Sequence, residues 1–291
     1  MLQPQLWVSA LEIGLFFGLL ALAYYLVFLG AGLFNFAIGG YAMLAGVAAS
    51  WMTTAHGVAG WLAALLAVGT TMAVAVLTEV AVVRPVQQRA GRGDLPALVA
   101  VAATLFTLQE LAGTLFGFDP FPPPKVIQLD AFTAGSVHIG SATLPLLGGT
   151  LVCFAAVALW TGRTRSGRLM RCIGDDTGVA RLLGLPVQRT RILVFLAAGL
   201  IAGVAGLLFA AKSGVGVGDG LKWTLSGFLA FVIGGSGSVW APLLGGLLLG
   251  IGYVFIPLYL GGAAFYYALV AVAMLFFSLR PEGIFVRRVR V

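Results

Sequence analysis

With 60% hydrophobic and 9% charged residues among 291, and a mean hydropathy of +1.04, this chain is too apolar for a soluble fold; soluble domains carry about 25% charge. Its solvent is lipid. The net charge of +7 does not point to nucleic acid, because the basic residues gather at Arg84–Arg92, Arg163–Arg191 and Arg280–Arg290, between apolar spans and without aromatic spacing suited to bases. These are positive-inside loops with some attraction to anionic lipid.

Read in chain order, apolar windows of about 20 residues predict helices at 7–30, 37–54, 60–83, 95–116, 144–161, 192–211, 224–236, 241–259 and 263–279. The expected fold class is therefore an all-α polytopic membrane protein of about nine (8–10) transmembrane helices, organised as one membrane-spanning domain over residues 1–291. Two candidates, 37–54 and 224–236, are short enough to be re-entrant or broken. No lysine or arginine precedes Arg84. Nine crossings then put all three basic clusters on the cytoplasmic side, with the amino terminus outside and the carboxyl terminus cytoplasmic. The opening MLQPQLW has no cationic n-region, so the first span is expected to be retained.

Glycine numbers 41 of 291, about twice the share of an average protein. In lipid, such residues let helices approach closely or break where backbone lines a cavity. Asn35, Gly39 and Gly40 in the first glycine-rich stretch, and Gly234, Gly235 and Ser236 in a later one, are candidates for a substrate path. Asn35 can both donate and accept, and a capping role at a broken helix explains it nearly as well. FAIGG at 36–40 leading to Arg84-Pro85, and FVIGG at 231–235 leading to Arg280-Pro281, suggest a faint internal repeat.

Ionisable residues inside spans are functional candidates by default. Glu79 lies about one turn from Arg84, which suggests a structural ion pair. Glu110 sits deeper, beside Gln109, and is a path candidate. Glu12 lies near the outer interface, where snorkelling accounts for it. Gly234-Gly235-Ser236-Gly237 resembles the serine motif of intramembrane rhomboid proteases, but a serine nucleophile needs a histidine base and no histidine follows His138. No H-E-x-x-H pattern occurs, so neither a catalytic residue nor a metal ligand is assigned.

The loop 163–191 reads RTRSGRLMRCIGDDTGVARLLGLPVQRTR. Asp175 or Asp176 can cap a short amphipathic helix through Val179, Ala180, Leu182 and Leu183, with Gly184 and Pro186 as its stop. It would lie along the cytoplasmic surface, either on lipid or as a knob for a soluble motor. The prolines of FDPFPPP stiffen the 117–143 loop, and with Lys212, Asp219 and Lys222 it could form an outer dock.

Here a resemblance becomes specific. The D-D-x-x-x-A-R-L-L-G-L-P core at 175–186 resembles the coupling loop of branched-chain amino-acid ABC transporter permeases. GLFNFAIGGYAMLAG at 32–46, TLFTLQELAGTLFGFDP at 104–120, FVIGGSGSVWAPLLGGLLLGI at 231–251 and LRPEGIF at 279–285 are similar to the first (H-type) permease of that family, in the same order. After Asn-Phe-Ala that family commonly carries a histidine and then an acidic residue, whereas Ile38 and Gly40 stand here, so a path-facing signature has lost polar character.

The resemblance implies an inner-membrane permease subunit of an importer for branched-chain or related small amino acids. It also implies a homologous second permease, two cytoplasmic ATPase subunits and an extracytoplasmic substrate-binding protein as partners. The 175–186 segment would be the coupling helix. No cofactor is expected on this chain, since its three lysines follow Pro124, Ala211 and Leu221 and none completes a P-loop; ATP would be used by the partners. The rival reading is a self-sufficient channel or facilitator for a small neutral solute such as urea or a short amide, which would have no motor to engage.

Overall fold

The computed structural model describes residues 4–90, 95–126, 132–134, 137–175 and 177–262, with 267, 271 and 274. The helix expected at 263–279, the basic cluster Arg280–Arg290 and Asp176 lie outside the described residues. The chain is helical almost throughout: α1 (Pro4–Ala31), α2 (Ile38–Ala55), α3 (Gly60–Leu77), a π-helical stretch (Thr78–Val83), α4 (Arg84–Ala90), α5 (Leu95–Phe116), α6 (Thr143–Arg163), α7 (Arg165–Asp175), α8 (Thr177–Leu182), α9 (Val187–Ser213), α10 (Asp219–Gly234) and α11 (Ala241–Leu260). A small antiparallel hairpin, β1 (Phe132–Ala134) and β2 (Val137–Ile139), interrupts them, pairing Thr133 with His138.

Among the described residues, six helices are long and apolar enough to cross a membrane: α1, the continuous rod from Gly60 to Arg89, α5, α6, α9 and α11. The two short candidates are unbroken helices of 18 and 16 residues, α2 and α10. At about 1.5 Å per residue each falls short of a hydrocarbon core of about 30 Å. They pack against each other inside the bundle.

The bundle is built round α1. Of its most apolar window, 89% is buried, against 22–33% for α5, α6, α11 and the Gly60–Arg89 rod. Lipid tails are as apolar as leucine, so close packing rather than water exclusion must hold such a helix. Glycines supply it. Gly14 and Gly18 on α1 face Gly246 and Gly250 on α11, both pairs spaced four apart. A Cβ on Gly246 or Gly250 would run into the backbone of α1. On α9, Gly199 and Gly203 meet α3, and Thr71 Oγ1 donates to the Gly199 carbonyl at 3.2 Å. Outward faces of α3, α5 and α6 expose Leu65, Val99 and Val152, the surface that lipid covers.

At the ends, polar ties replace apolar ones. Gln5 exchanges two hydrogen bonds with the His138 backbone, at 2.8 and 3.1 Å. Glu12 is not a snorkelling residue: it is 5% exposed, ion-paired with Lys212 and hydrogen-bonded by Thr143. A carboxylate near a helix start can turn inward when a cation from α9 meets it, and no local spacing reveals that partner. Phe121 and Val215 pair through two backbone hydrogen bonds of 2.8 and 3.1 Å. They join the proline-rich loop to the 214–218 segment.

The two motifs of the suggested repeat are not equivalent. FAIGG opens α2, where Gly39 and Gly40 are helical, whereas FVIGG closes α10 at Gly235, whose φ of 86° suits glycine.

We expect Gly246→Val to destabilise the protein by about 1–3 kcal/mol or more, since only backbone stands in the way of the new side chain. Gly69→Val, with nothing within 4 Å, should stay within about 0.5 kcal/mol of the parent. Thermal unfolding of both variants in one detergent checks this; equal midpoints would remove the α1–α11 contact as the main constraint.

Candidate functional site

Asn35 sits in the turn between α1 and α2 and is fully enclosed. Its Oδ1 accepts the Ala37 N–H at 3.0 Å, its carbonyl accepts the Ile38 N–H, and its Nδ2 donates to the Tyr41 hydroxyl at 3.3 Å. All of this orders the turn that leads into α2, whose N-cap, Ala37, has no side-chain cap. Beside it, Thr224 Oγ1 donates to the Phe36 carbonyl and the Tyr24 hydroxyl donates to the Thr224 carbonyl, both at 3.1 Å. A Cβ on Gly39 would collide with Gly220 and Thr224 of α10, and one on Gly40 with Leu105 of α5. These two glycines are contact points between helices. Around them, half-buried Phe34, Phe36 and Phe228 form an aromatic cluster, with Phe34 and Phe36 each against Phe228 at 5.4 and 5.1 Å.

The other path candidates stand apart. Gly234, Gly235 and Ser236 form the turn from α10 to α11, ten residues or about 15 Å along α10 from Thr224. Gly234 is pressed against Ala241 and Pro242. Glu110 is exposed on the outer face of α5, while its neighbour Gln109 points inward and donates to the Val217 carbonyl at 2.9 Å. Asn35, Gly39 and Gly40 are thus brought together; Glu110 and the 234–236 turn do not join them within this chain.

Glu79 does not take Arg84 as its ion-pair partner. Arg191 of α9 reaches it instead, with Nη2 donating to Oε2 at 3.0 Å and Nε standing 2.8 Å from Oε1, an ionic contact without hydrogen-bond alignment. Arg191 Nη1 also donates to Gln87 Oε1 at 2.7 Å. Both partners are buried, at 1% and 7% side-chain exposure. The facing helix can present a guanidinium head-on to a carboxylate, which a residue five positions along the same rod does not do here. The π stretch begins at Thr78, so Glu79 lies in its first turn, and the Arg84 N–H bonds to the Glu79 carbonyl. Arg84, Glu79, Gln87 and Arg191 line one cavity.

The 163–191 loop holds two helices and not one. Asp175 is the last residue of α7, α8 runs Thr177–Leu182, Gly184 stops it with φ 69°, and Pro186 precedes α9. Ala180 is buried with Ile173 and Val187, while Leu182 and Leu183 are 88% and 71% exposed. The expectation that the apolar residues share one side therefore fails: Ala180 turns in and the two leucines turn out. The α7 segment was missed because its basic residues mask a usable signal, Gly167, Met170 and Ile173 buried at every third position. A Cβ on Gly174 would overlap Leu29 and Gly30, so α7 rests directly on the end of α1. That end leads into the Asn35 turn.

A family model described as "Branched-chain amino acid transport system / permease component" matches residues 8–279. The high-affinity branched-chain amino acid transport system permease protein LivH of Salmonella typhimurium is 27% identical, over 96% of this chain and 94% of its own length. The corresponding protein BraD of Pseudomonas aeruginosa is 28% identical over the same shares. Among solved structures, PsaBC from Streptococcus pneumoniae in complex with Fab matches at a TM-score of 0.49 and 14% identity, over 94% of this chain and 91% of that one, a likeness too distant to argue from.

Breaking the buried pair should be severe: Arg191→Ala strands the Glu79 carboxylate, and we expect a loss of about 3–5 kcal/mol. Replacing both members together, Glu79→Leu with Arg191→Met, should cost far less. Thermal unfolding of the single and double variants decides the matter, and a double variant as unstable as the single one would show that pairing is not what these residues contribute.

Proposed function

Since the chain belongs to the branched-chain amino acid transport system permease family, matched from residue 8 to 279, we propose that it is the membrane permease subunit of an ATP-binding-cassette importer for branched-chain or related small amino acids. The observation that carries this is similarity along nearly the whole chain to two permeases of branched-chain amino acid systems. A multi-pass helical fold accords with it, and the chain is a multi-pass protein of the inner membrane.

In this reading the chain supplies one half of the path and a homologous permease the other. Two cytoplasmic ATPase subunits hydrolyse ATP, and an extracytoplasmic binding protein delivers the solute. The amino terminus lies outside and the carboxyl terminus in the cytoplasm, as the charge asymmetry suggests. The binding protein would dock where the proline-rich loop meets the 214–218 segment.

Segment 175–186 acts as the coupling element. Leu182 and Leu183 have no packing role that would explain two exposed leucines side by side, and a groove on a motor subunit would cover them. Movement of α8 would pass through α7 to the end of α1, and from there to the Asn35 turn and the start of α2. The aromatic cluster at Phe34, Phe36 and Phe228 offers an apolar surface suited to aliphatic side chains. Glu110, exposed on a membrane-spanning helix, would face the second permease, where an intramembrane carboxylate can find a polar partner.

Reconstitution with the partner subunits tests this. ATP-dependent uptake of leucine or a close analogue is expected, and uptake that proceeds equally without ATP would overturn the importer reading. Leu182→Asp should leave folding unchanged but abolish substrate-stimulated uptake. Gly184→Leu adds strain of about 1–2 kcal/mol in the left-handed region and should also insert normally yet uncouple ATP hydrolysis from transport. Full coupled uptake in both variants would count against the coupling role.

A further inference from the structure

The cavity beside the buried ion pair is lined on three sides by different segments: the π stretch and α4, the surface helix α8, and the first turn of α9. Its volume is about 70 Å³, space for a small tetrahedral anion, given that a water occupies about 30 Å³ of liquid. Arg84, Arg181 and Arg191 line it against the single carboxylate of Glu79. Three guanidiniums facing one carboxylate leave two positive charges in excess.

Two of the acceptors in the wall, Glu79 Oε2 and Gln87 Oε1, are taken by Arg191. Arg84 Nη2 is buried without an acceptor, and Glu79 Oε1 and Arg191 Nε beside it are likewise without a hydrogen bond. A charged donor left unmatched out of water is costly. The amino-terminal turn of α9, including Gln188, forms another wall. The positive end of a 27-residue helix therefore adds to the field of the guanidiniums. The cavity lies at the arginine-bearing end of the Gly60–Arg89 rod, and basic residues at the end of a membrane-spanning helix are where anionic lipid headgroups are attracted.

We infer that this cavity is a binding site for a phosphate-class oxyanion, either a phosphomonoester headgroup of an anionic lipid or free inorganic phosphate. A dianion matches the excess charge, and guanidinium forks match phosphate oxygens. An anion held by Arg84, Arg181 and the α9 terminus joins α8 to α4 and α9, so its occupancy sets how firmly the surface helix is held. The site depends only on this chain's own arginines and stands apart from the transport reading.

The test uses the full chain in nanodiscs. In one arm the discs are phosphatidylcholine, and inorganic phosphate is titrated against chloride at matched ionic strength. In the other, phosphatidic acid is added to the discs without free phosphate. The readout is the thermal unfolding midpoint against ligand content, for the parent, Arg84→Gln, Arg181→Gln and a control, Arg165→Gln, an exposed arginine outside the cavity.

Stabilisation in at least one arm is expected, weakened about ten-fold by Arg84→Gln or Arg181→Gln, as loss of one charge-assisted hydrogen bond implies, and unchanged by Arg165→Gln. A response to free phosphate identifies a soluble ligand; a response confined to phosphatidic acid identifies a headgroup. Arg181 is exposed, so its variant carries the test if Arg84→Gln does not fold. No stabilisation in either arm, or equal losses in the Arg165→Gln control, overturns the inference.

Discussion

Everything in this fold depends on how closely α1 can be approached. A 28-residue apolar helix enclosed on nearly all sides gains nothing from leaving lipid for an equally apolar protein interior. What it gains is contact, and contact at backbone range needs small residues. Gly14 and Gly18 against Gly246 and Gly250 provide it on one side, and Gly174 pressed on Leu29 and Gly30 provides it at the far end. Positioned by these contacts, α1 delivers the chain into the Asn35 turn, which sets the start of α2. The start of α2 in turn meets α10 at Gly39 and Thr224. The centre of the molecule is thus a sequence of close backbone approaches, with side-chain hydrogen bonds closing the remaining polar groups.

Charge is used sparingly and at the ends. Glu12 with Lys212 and Glu79 with Arg191 each join two elements far apart in sequence. In a medium without water, neither member can be left alone, so each pair fixes the relative height of its helices. Near the second pair the chain gathers more cations than its own carboxylates neutralise, beside the exposed helix α8. Packing specificity in the apolar middle and electrostatic specificity at the boundary are therefore separate, and they meet where α7 rests on α1.

Much of this is legible in the sequence because lipid imposes a simple rule on it. Windows of apolar residues place α1, α2, α5, α6, α9 and α11 within a few residues of their ends, and Gly184 marks the stop of α8 as its position suggests. What the windows miss has one origin. Arg191 as the partner of Glu79, Lys212 as the partner of Glu12, and the separation of Glu110 from Asn35 are all contacts between distant segments, and spacing along one helix carries no information about them. The case of α7 differs: its buried Gly167, Met170 and Ile173 were readable at three-residue spacing but lay among arginines that suggested a loop. FAIGG and FVIGG looked alike because letters do not show whether a glycine pair begins a helix or ends one.

The π stretch between Leu77 and Arg84 carries one residue more than an α-helix of the same rise would hold. Wound as a regular α-helix instead, the same residues would turn α3 by about 100° relative to α4. Ala67, Thr71 and Ala75, now buried, would then swing away from the face that meets α9. The surplus residue thus acts as a phase shifter: it lets one rigid rod present small residues to α9 along its upper length and a carboxylate to the same helix at its base. Loops elsewhere can lengthen or shorten freely, but this rod is metered to the single residue.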